Sequence, residues 1–472
     1  MAGYSPLKIT GNSTGLVQER ENFLLPDDAY PVLQNAYIWR ERILRKQGYE
    51  LLGRLQRNII NANLDITNGA GNKTVNIKSQ QVLETNATIV LGSVTVRVAG
   101  QTFIESTPPN GILTGDMGGS GTINYATTVL TLTGAAALTS VFADFSYYPG
   151  LPVMGIRIRE LQNSSNDQTI FFDQKYAYVF NSTTSQFQEF ITGTTWNAHN
   201  GSVSAVDFFW STNYWVSSTP IFSTSNIKLF WETNNTGQFG ANADPPRITD
   251  GTTWVNFDSS TWNQIDATTF LFNYSANLPY RGRMVTFNTW EGISKASAQN
   301  FPNRIRWSTI GNPFIAFSNV SPAKGSWRDD IRGQGGFLDI PTSEDIVSVG
   351  FVRDNLVIYC ERSTWQLRYT GRAISPFQIE KVNSELGAES TFSTIQFDTS
   401  LLGVGDKGIV ECDSYKSERI DIKIPDFVFK FNSLNNGVAR VQGIRDFPNR
   451  LAYWTIPLAS AFAGKLDSSN WI

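Results

Sequence analysis

The feature that most constrains this chain is a loose repeat of short aromatic strands after Pro152. An apolar-Trp-Thr strand occurs four times, at Phe208 to Thr212, Leu229 to Thr233, Ile305 to Thr309 and Ala452 to Ile456. Between the copies a basic turn leads into an apolar strand, at Arg281 to Phe287, Arg353 to Tyr359 and Pro448 to Trp454. Each unit is a hairpin too small to bury its own face, so it needs neighbours of its own kind. Stacked radially, such hairpins give a β-propeller, with Trp residues filling the space between blades. The copies are unevenly spaced, and an irregular β-sandwich is the competing architecture. Aromatics make up 13% of the chain and there are 38 glycines, which suits wide strands punctuated by turns.

The expected fold is therefore all-β. About three domains fit the length. We place an N-terminal clasp segment at 1–58, a small β-sandwich at 59–150 and a propeller body at 151–472. From Ile59 to Gly150 charges thin out, and Asn, Thr, Gly and Ser dominate. Thr88 to Leu91, Val94 to Val98, Gln101 to Ile104, Val129 to Thr133 and Val141 to Tyr148 read as strands separated by turn signals. The flanks Leu52 to Leu55 and Pro149 to Pro152 mark the lips of an insertion, so the module is inserted in, or appended to, the body.

The segment Leu16 to Leu55 joins these parts. Pro26-Asp27-Asp28 has the chemistry of a helix N-cap, and Val32, Leu33, Ala36 and Tyr37 recur at helical spacing, so a short helix is expected there. The pattern then turns strand-like at Ile38-Trp39-Arg40 and again at Tyr49 to Leu52. Arg40, Arg42, Arg45 and Lys46 crowd around the single carboxylate of Glu41, a cation density found nowhere else in the chain. Such a cluster either protects a strand edge from pairing or is an assembly contact.

Net charge and residue usage exclude several classes. With 38 basic and 41 acidic residues the net charge is −3, so no global basic footprint exists for holding nucleic acid. No apolar stretch approaches the ~20 residues that span a bilayer. The start, MAGYSPLKIT, lacks the basic and apolar regions of a signal peptide, which implies synthesis in a cytoplasm. The one histidine, His199, sits in a polar, turn-like stretch, so multi-histidine zinc sites and histidine-based catalysis lose their raw material. Cys360 and Cys412 are flanked by apolar strand residues and suit buried reduced thiols better than a disulfide framework, with a single Cys360–Cys412 pair as the alternative.

Motifs for chemistry are sparse. Gly69 to Thr74 ends like a phosphate-binding loop, but Asn72 stands where glycine must precede Lys73, so it is a polar turn. Asp116 to Gly121 has one carboxylate among glycines and is better as a hairpin tip than a calcium loop. Propellers host glycan-cleaving enzymes that use two carboxylates. The pairs Glu344 with Asp345, Glu385 with Glu389, and Glu411 with Asp413 all lie at strand ends or turns, where solvated carboxylates are ordinary. No catalytic residue, metal ligand or cofactor is assigned.

Six segments in a fixed order carry a resemblance: LPDDAYPVLQNAYIWRERILRKQGYELLGRL, YYPGLPVMGIRIRE, DPPRITDGTTWVNF, NRIRWSTIGNP, ERSTWQLRYTG and SELGAESTFSTIQFD. The chain resembles the tail nozzle (tail tubular or muzzle) proteins of short-tailed bacteriophages over about Leu16–Leu55 and Tyr147–Pro457. The resemblance implies a virion protein that is not an enzyme. It would form a ring, usually a homohexamer, beneath the portal and adaptor, next to other tail proteins, with genomic double-stranded DNA passing through its lumen. In that family the run from Asn35 through Arg40 to Lys46 leads into a propeller. Members commonly continue past the strand matching Arg450 to Trp454, whereas this chain ends at Ile472, so either an N-terminal strand completes the last blade or the tip comes from another protein. The near-neutral charge suits a conduit in which phosphate must slide. A receptor-binding or glycan-recognising tail protein is the alternative, and a polysaccharide-degrading propeller the third possibility.

Overall fold

The computed structural model describes residues 14–17, 20–46, 48, 51–107, 109–161, 167–197, 208–222, 226–234, 243–258, 261–424, 441–449, 451–456 and 470–471. Five four-stranded antiparallel sheets follow one another from residue 153 to 419, each a meander whose strands pair in chain order. They are the blades of a β-propeller. Blade 1 runs from Val153–Arg159 to Gln186–Glu189, blade 2 from Trp210–Val216 to Trp254–Asn256, and blade 3 from Phe270–Tyr280 to Gly336–Asp339. Blade 4 runs from Ile346–Val352 to Phe377–Asn383 and blade 5 from Ile395–Gln396 to Ser417–Arg419. A three-stranded sheet of Gln442–Asp446, Leu451–Ile456 and Asn470–Trp471 comes next, its first strand against that of blade 5.

Hydrophobic seams bind the blades in sequence. Phe172 of blade 1 stacks on Phe209 at the entry to blade 2, with ring centroids 4.3 Å apart. Trp231 of blade 2 meets Phe314 and packs in one cluster with Trp327. Tyr280 and Trp307 of blade 3 close on Phe377 of blade 4. Tyr359 and Leu401 join blades 4 and 5, where the Tyr359 hydroxyl donates to the Leu401 carbonyl at 2.7 Å. Tryptophans thus fill inter-blade space, as the aromatic content implies, because each flat sheet must bury both faces. The first strands of the blades converge on a central cavity.

The two sequence repeats fare differently. The Trp-Thr copies fall on the first and second strands of blade 2, the third strand of blade 3 and the second strand of the last sheet, so they do not mark equivalent positions. The basic turns do. Arg281-Gly282 and Arg353-Asp354 each join the first and second strands of a blade, and Phe447 to Asn449 lie in the same connection of the last sheet. Arg281 and Gly282 both take positive φ, 51° and 74°, the geometry that matches the twist of a two-residue hairpin.

Residues 57–148 form one nine-stranded antiparallel sheet rather than the two layers of a sandwich. The hydrogen-bonded path begins at Arg57–Ile66 and ends at Lys73–Asn76, strands joined by a short turn, so the sheet curls until its ends meet. Lys73 pairs with Asp65 at 3.1 Å across that gap, and Leu64, Phe103, Leu130 and Val141 are fully buried inside the curl. Residues 69–72 are a polar turn that leads into the strand Lys73–Asn76, and Asp116 to Gly119 form the tip between Ile112–Gly115 and Ser120–Asn124. Arg57 ties this module to blade 1 through Glu189 at 3.0 Å and the face of Tyr176 at 3.7 Å.

Candidate assembly interface

Among its described residues the N-terminal segment contains no α-helix. The expected helix at Val32 to Tyr37 is instead the start of a hairpin, Ala36–Trp39 paired with Arg42–Arg45. Side-chain shape explains the correction: Tyr37-Ile38-Trp39 and Ile43 favour strand, and Arg40-Glu41, with φ of 47° and 63°, form the two-residue turn that closes it. Pro26 to Asp28 cap no helix either. Asp28 Oδ2 accepts from Thr14 N and Oγ1 at 3.0 and 2.7 Å, which holds Gly15–Leu16 parallel to Ala29–Tyr30. Leu51 and Leu52 lie outside any strand, and Tyr49 and Glu50 lie outside the described residues. No N-terminal strand joins the last sheet among the described residues.

The cation cluster is divided by the fold. Lys46 sits with its ammonium 6.0 Å from the Tyr453 ring and so leans on the last sheet, and Lys423, in the segment after blade 5, donates to the Thr14 carbonyl at 2.9 Å. Arg40 lies over Trp39 at the turn. Arg42 and Arg45 are exposed, and neither has an ion pair among the described residues. Between them Ile43 and Leu44 are also exposed, as are Phe23 at 82%, Val32 at 64% and Leu51 at 75%. An isolated two-stranded hairpin is marginal in water, and its exposed strand carries the apolar side chains of Ile43 and Leu44 as well as its two arginines.

A surface of opposite sign lies on blades 4 and 5. Asp345, Glu361 and Glu389 are exposed there, with Glu344 and Asp406 partly buried beside them. Partial burial, then the charges of Asp345 and Glu344, raise the pKa of Glu361; partial burial, then Asp406 and Glu361, raise that of Glu389. Arg362 offsets this repulsion only in part.

One member of each carboxylate pair considered for catalysis has local structural partners. Glu344 Oε2 accepts from Arg362 N and Ser363 Oγ at 2.9 Å each, Glu385 pairs with Lys407 at 3.6 Å, and Asp413 accepts from the backbone of Tyr415 and Lys416. No group of three or more potential metal ligands occurs among the described residues, and no described helix is long and apolar enough to cross a membrane. Both cysteines are free and buried; burial pushes the Cys360 thiol up to about 12 and raises that of Cys412. His199 lies outside the described residues. What sequence reasoning missed is the exposure of Ile43, Leu44 and Val32 together with the acidic patch, whose members are scattered over 62 positions and only the fold collects.

No family model matches this chain, and no curated protein matches it. Among solved structures it is similar to the extracellular domain of a one-component system from B. thetaiotaomicron, at TM-score 0.28 and 10% identity, covering 66% of this chain and 37% of that one. It is also similar to the alpha-L-arabinanase of Penicillium chrysogenum complexed with arabinobiose, at TM-score 0.32 and 9% identity, covering 65% and 88%. A third similarity is to apo AztD from Citrobacter koseri, at TM-score 0.24 and 8% identity, covering 70% and 93%. At these scores the likeness carries no argument about activity.

Proposed function

We propose that the chain is a non-enzymatic structural subunit of a bacteriophage tail, a ring-forming nozzle component made in the host cytoplasm and placed in the virion beneath the portal or adaptor. The ordered motifs that resemble tail nozzle proteins supply the setting. The observation that carries the assembly itself is the exposed strand of the hairpin, where Arg42 and Arg45 flank Ile43 and Leu44 and all four side chains face solvent. Its complement in charge is the Asp345, Glu361 and Glu389 patch. Hairpin to patch is a head-to-tail contact between different surfaces, and such contacts build a ring when the rotation closes. A homohexamer is the expected ring, with double-stranded DNA passing transiently through it.

The test is the mass of the purified full chain together with images of tail particles. Wild type forms rings and the double variant Arg42→Glu, Arg45→Glu stays monomeric while keeping the wild-type melting temperature. Lys46 is left intact because it contacts Tyr453 of the same chain. Normal rings from the double variant would overturn the contact, and absence of the protein from tails would overturn the setting.

A second reading, recognition of a glycan by the propeller, is favoured by the central cavity, which combines aromatic walls with an arginine, Arg157, that has no carboxylate partner among the described residues. Binding of the isolated chain to a glycan array tests it; a blank array removes it.

A further inference from the structure

The first strands of the blades line an open cavity of about 220 Å³ at the propeller centre, to which Arg157, Trp210, Ser211, Phe392, Thr394 and Gln396 all contribute. Arg157 comes from the first strand of blade 1, with its guanidinium carbon 5.1 Å from the Phe392 ring centroid. Its one described hydrogen bond runs to the carbonyl of its own neighbour, Ile156, at 3.1 Å. The side chain retains some accessible surface because it borders the cavity, yet the surrounding protein strips enough water from it to bring its pKa down to about 10, with no carboxylate opposing that shift.

The other deeply placed arginines show what a structural role looks like in this fold. Arg306 is neutralised by Glu291, Arg283 donates to the carbonyls of Ser308 and Gln334 at 2.7 Å each, and Arg159 donates to Gln168 at 2.7 Å. Arg157 departs from that pattern. Beside it Ser211 Oγ is buried and makes no hydrogen bond among the described residues. Trp210 commits its indole N–H to the Asn277 carbonyl at 2.8 Å, which fixes the ring as a wall rather than a donor.

A guanidinium fork fits a carboxylate, aromatic faces suit the C–H faces of a sugar ring, and an orphan hydroxyl suits a sugar hydroxyl. The volume is below the roughly 300–1,000 Å³ of drug-sized sites, so the part of a ligand held inside it is small. We propose that this central cavity binds a single acidic sugar residue of the uronate class, with Arg157 on the carboxylate and Ser211 on a ring hydroxyl. The proposal rests on the glycan reading above and is independent of ring assembly.

Calorimetric titration of the full chain with sodium glucuronate, glucose and inorganic phosphate tests it. Glucuronate should bind, glucose should bind at least about tenfold more weakly, and Arg157→Met should remove that preference, as expected for loss of a charge-assisted contact. Ser211→Ala, which leaves the cation in place, should weaken glucuronate several-fold without changing the melting temperature. Equal glucuronate affinity in wild type and Arg157→Met would overturn the site, and phosphate binding as tightly as glucuronate would overturn the sugar assignment. A wild-type chain that binds neutral oligosaccharides on an array but no glucuronate overturns this proposal and leaves the glycan reading standing. A chain that binds none of them removes both.

Discussion

Arg306 and Glu291 meet in a two-point ion pair inside blade 3, Nε to Oε1 and Nη2 to Oε2, both at 2.8 Å, with each side chain at least 96% buried. Thr289 Oγ1 donates to the same carboxylate at 2.7 Å, and Arg304 bridges it to Asp339. Taking two charges out of water is costly, and here the second strand of the blade is held to the third by groups that satisfy one another. Removing one partner leaves the other buried and uncompensated, so Glu291→Ala should cost about 3–5 kcal/mol. Replacing both, as Glu291→Met with Arg306→Met, should recover most of that loss. Denaturant midpoints of the two variants decide it; equal losses would mean that the pair does more than neutralise charge.

The same fold holds a second buried glutamate with the opposite sign. Burial would raise the pKa of Glu291, but Arg306 and Arg304 more than reverse it, so its pKa is lowered. Its contribution is present above the ordinary carboxylate range and lost as pH falls through the folded value. Glu232 accepts from the Trp196 indole at 2.9 Å, and burial outweighs Arg247 to raise its pKa to about 8. Its contribution is complete below the ordinary value and lost as pH rises toward about 8. The melting temperature should therefore decline between about pH 5 and pH 8, and Glu232→Gln should flatten that decline while leaving the acid limb unchanged. An identical slope in the variant would refute the assignment.

The strand content and the propeller were legible because aromatic and β-branched runs separated by glycine turns leave few other choices. The basic turns before Met284 and Leu356 identified equivalent hairpins because turn geometry is local. The Trp-Thr copies misled, since any inter-blade seam accepts a tryptophan from whichever strand borders it. The helix expected around Val32 failed for a related reason: four apolar residues satisfy helical spacing, but the positive-φ turn at Arg40-Glu41 fixes a hairpin. The single curled sheet of residues 57–148 was hidden by its pairing of Arg57–Ile66 with Ser140–Tyr148, more than seventy positions apart. The acidic patch and the central cavity have no local signature at all.

Gly387 lies where the end of blade 4 passes the hairpin at Cys360. A Cβ there would come within 2.2 Å of the Cys360 carbonyl oxygen and 2.7 Å of the Arg362 nitrogen, both backbone atoms that cannot swing aside. Gly387→Ala should destabilise the chain by about 1–3 kcal/mol through overpacking. Gly48→Ala, which meets nothing within 4 Å, should leave the melting temperature unchanged. Two equal effects would show that the seam yields.

The thiols offer a check on the seams themselves. Cys360 packs in the cluster shared by blades 3 and 4, and Cys412 in that shared by blades 4 and 5. Thiolates are the reactive form, and burial raises the pKa of both groups. Neither should be alkylated by iodoacetamide in the native chain at pH 8, and both should be alkylated after unfolding. Rapid labelling of Cys412 alone would place the opening at blade 5.

The hairpin contact makes a prediction that single substitutions cannot. If Arg42 and Arg45 of one copy face Glu361 and Glu389 of the next, rings lost in Arg42→Glu, Arg45→Glu should return when Glu361→Lys and Glu389→Lys are added. Charge reversal on the patch alone should also prevent assembly, because like charges would then oppose each other. Salt separates the two components of the contact: the screening length falls from about 8 Å at ~0.15 M to about 3 Å at 1 M. Ring formation measured by sedimentation should weaken over that range in sodium chloride. In sodium sulfate, where burial of Ile43 and Leu44 is strengthened, the loss should be smaller. Failure of the four-fold reversal to restore rings would exclude this pairing of surfaces.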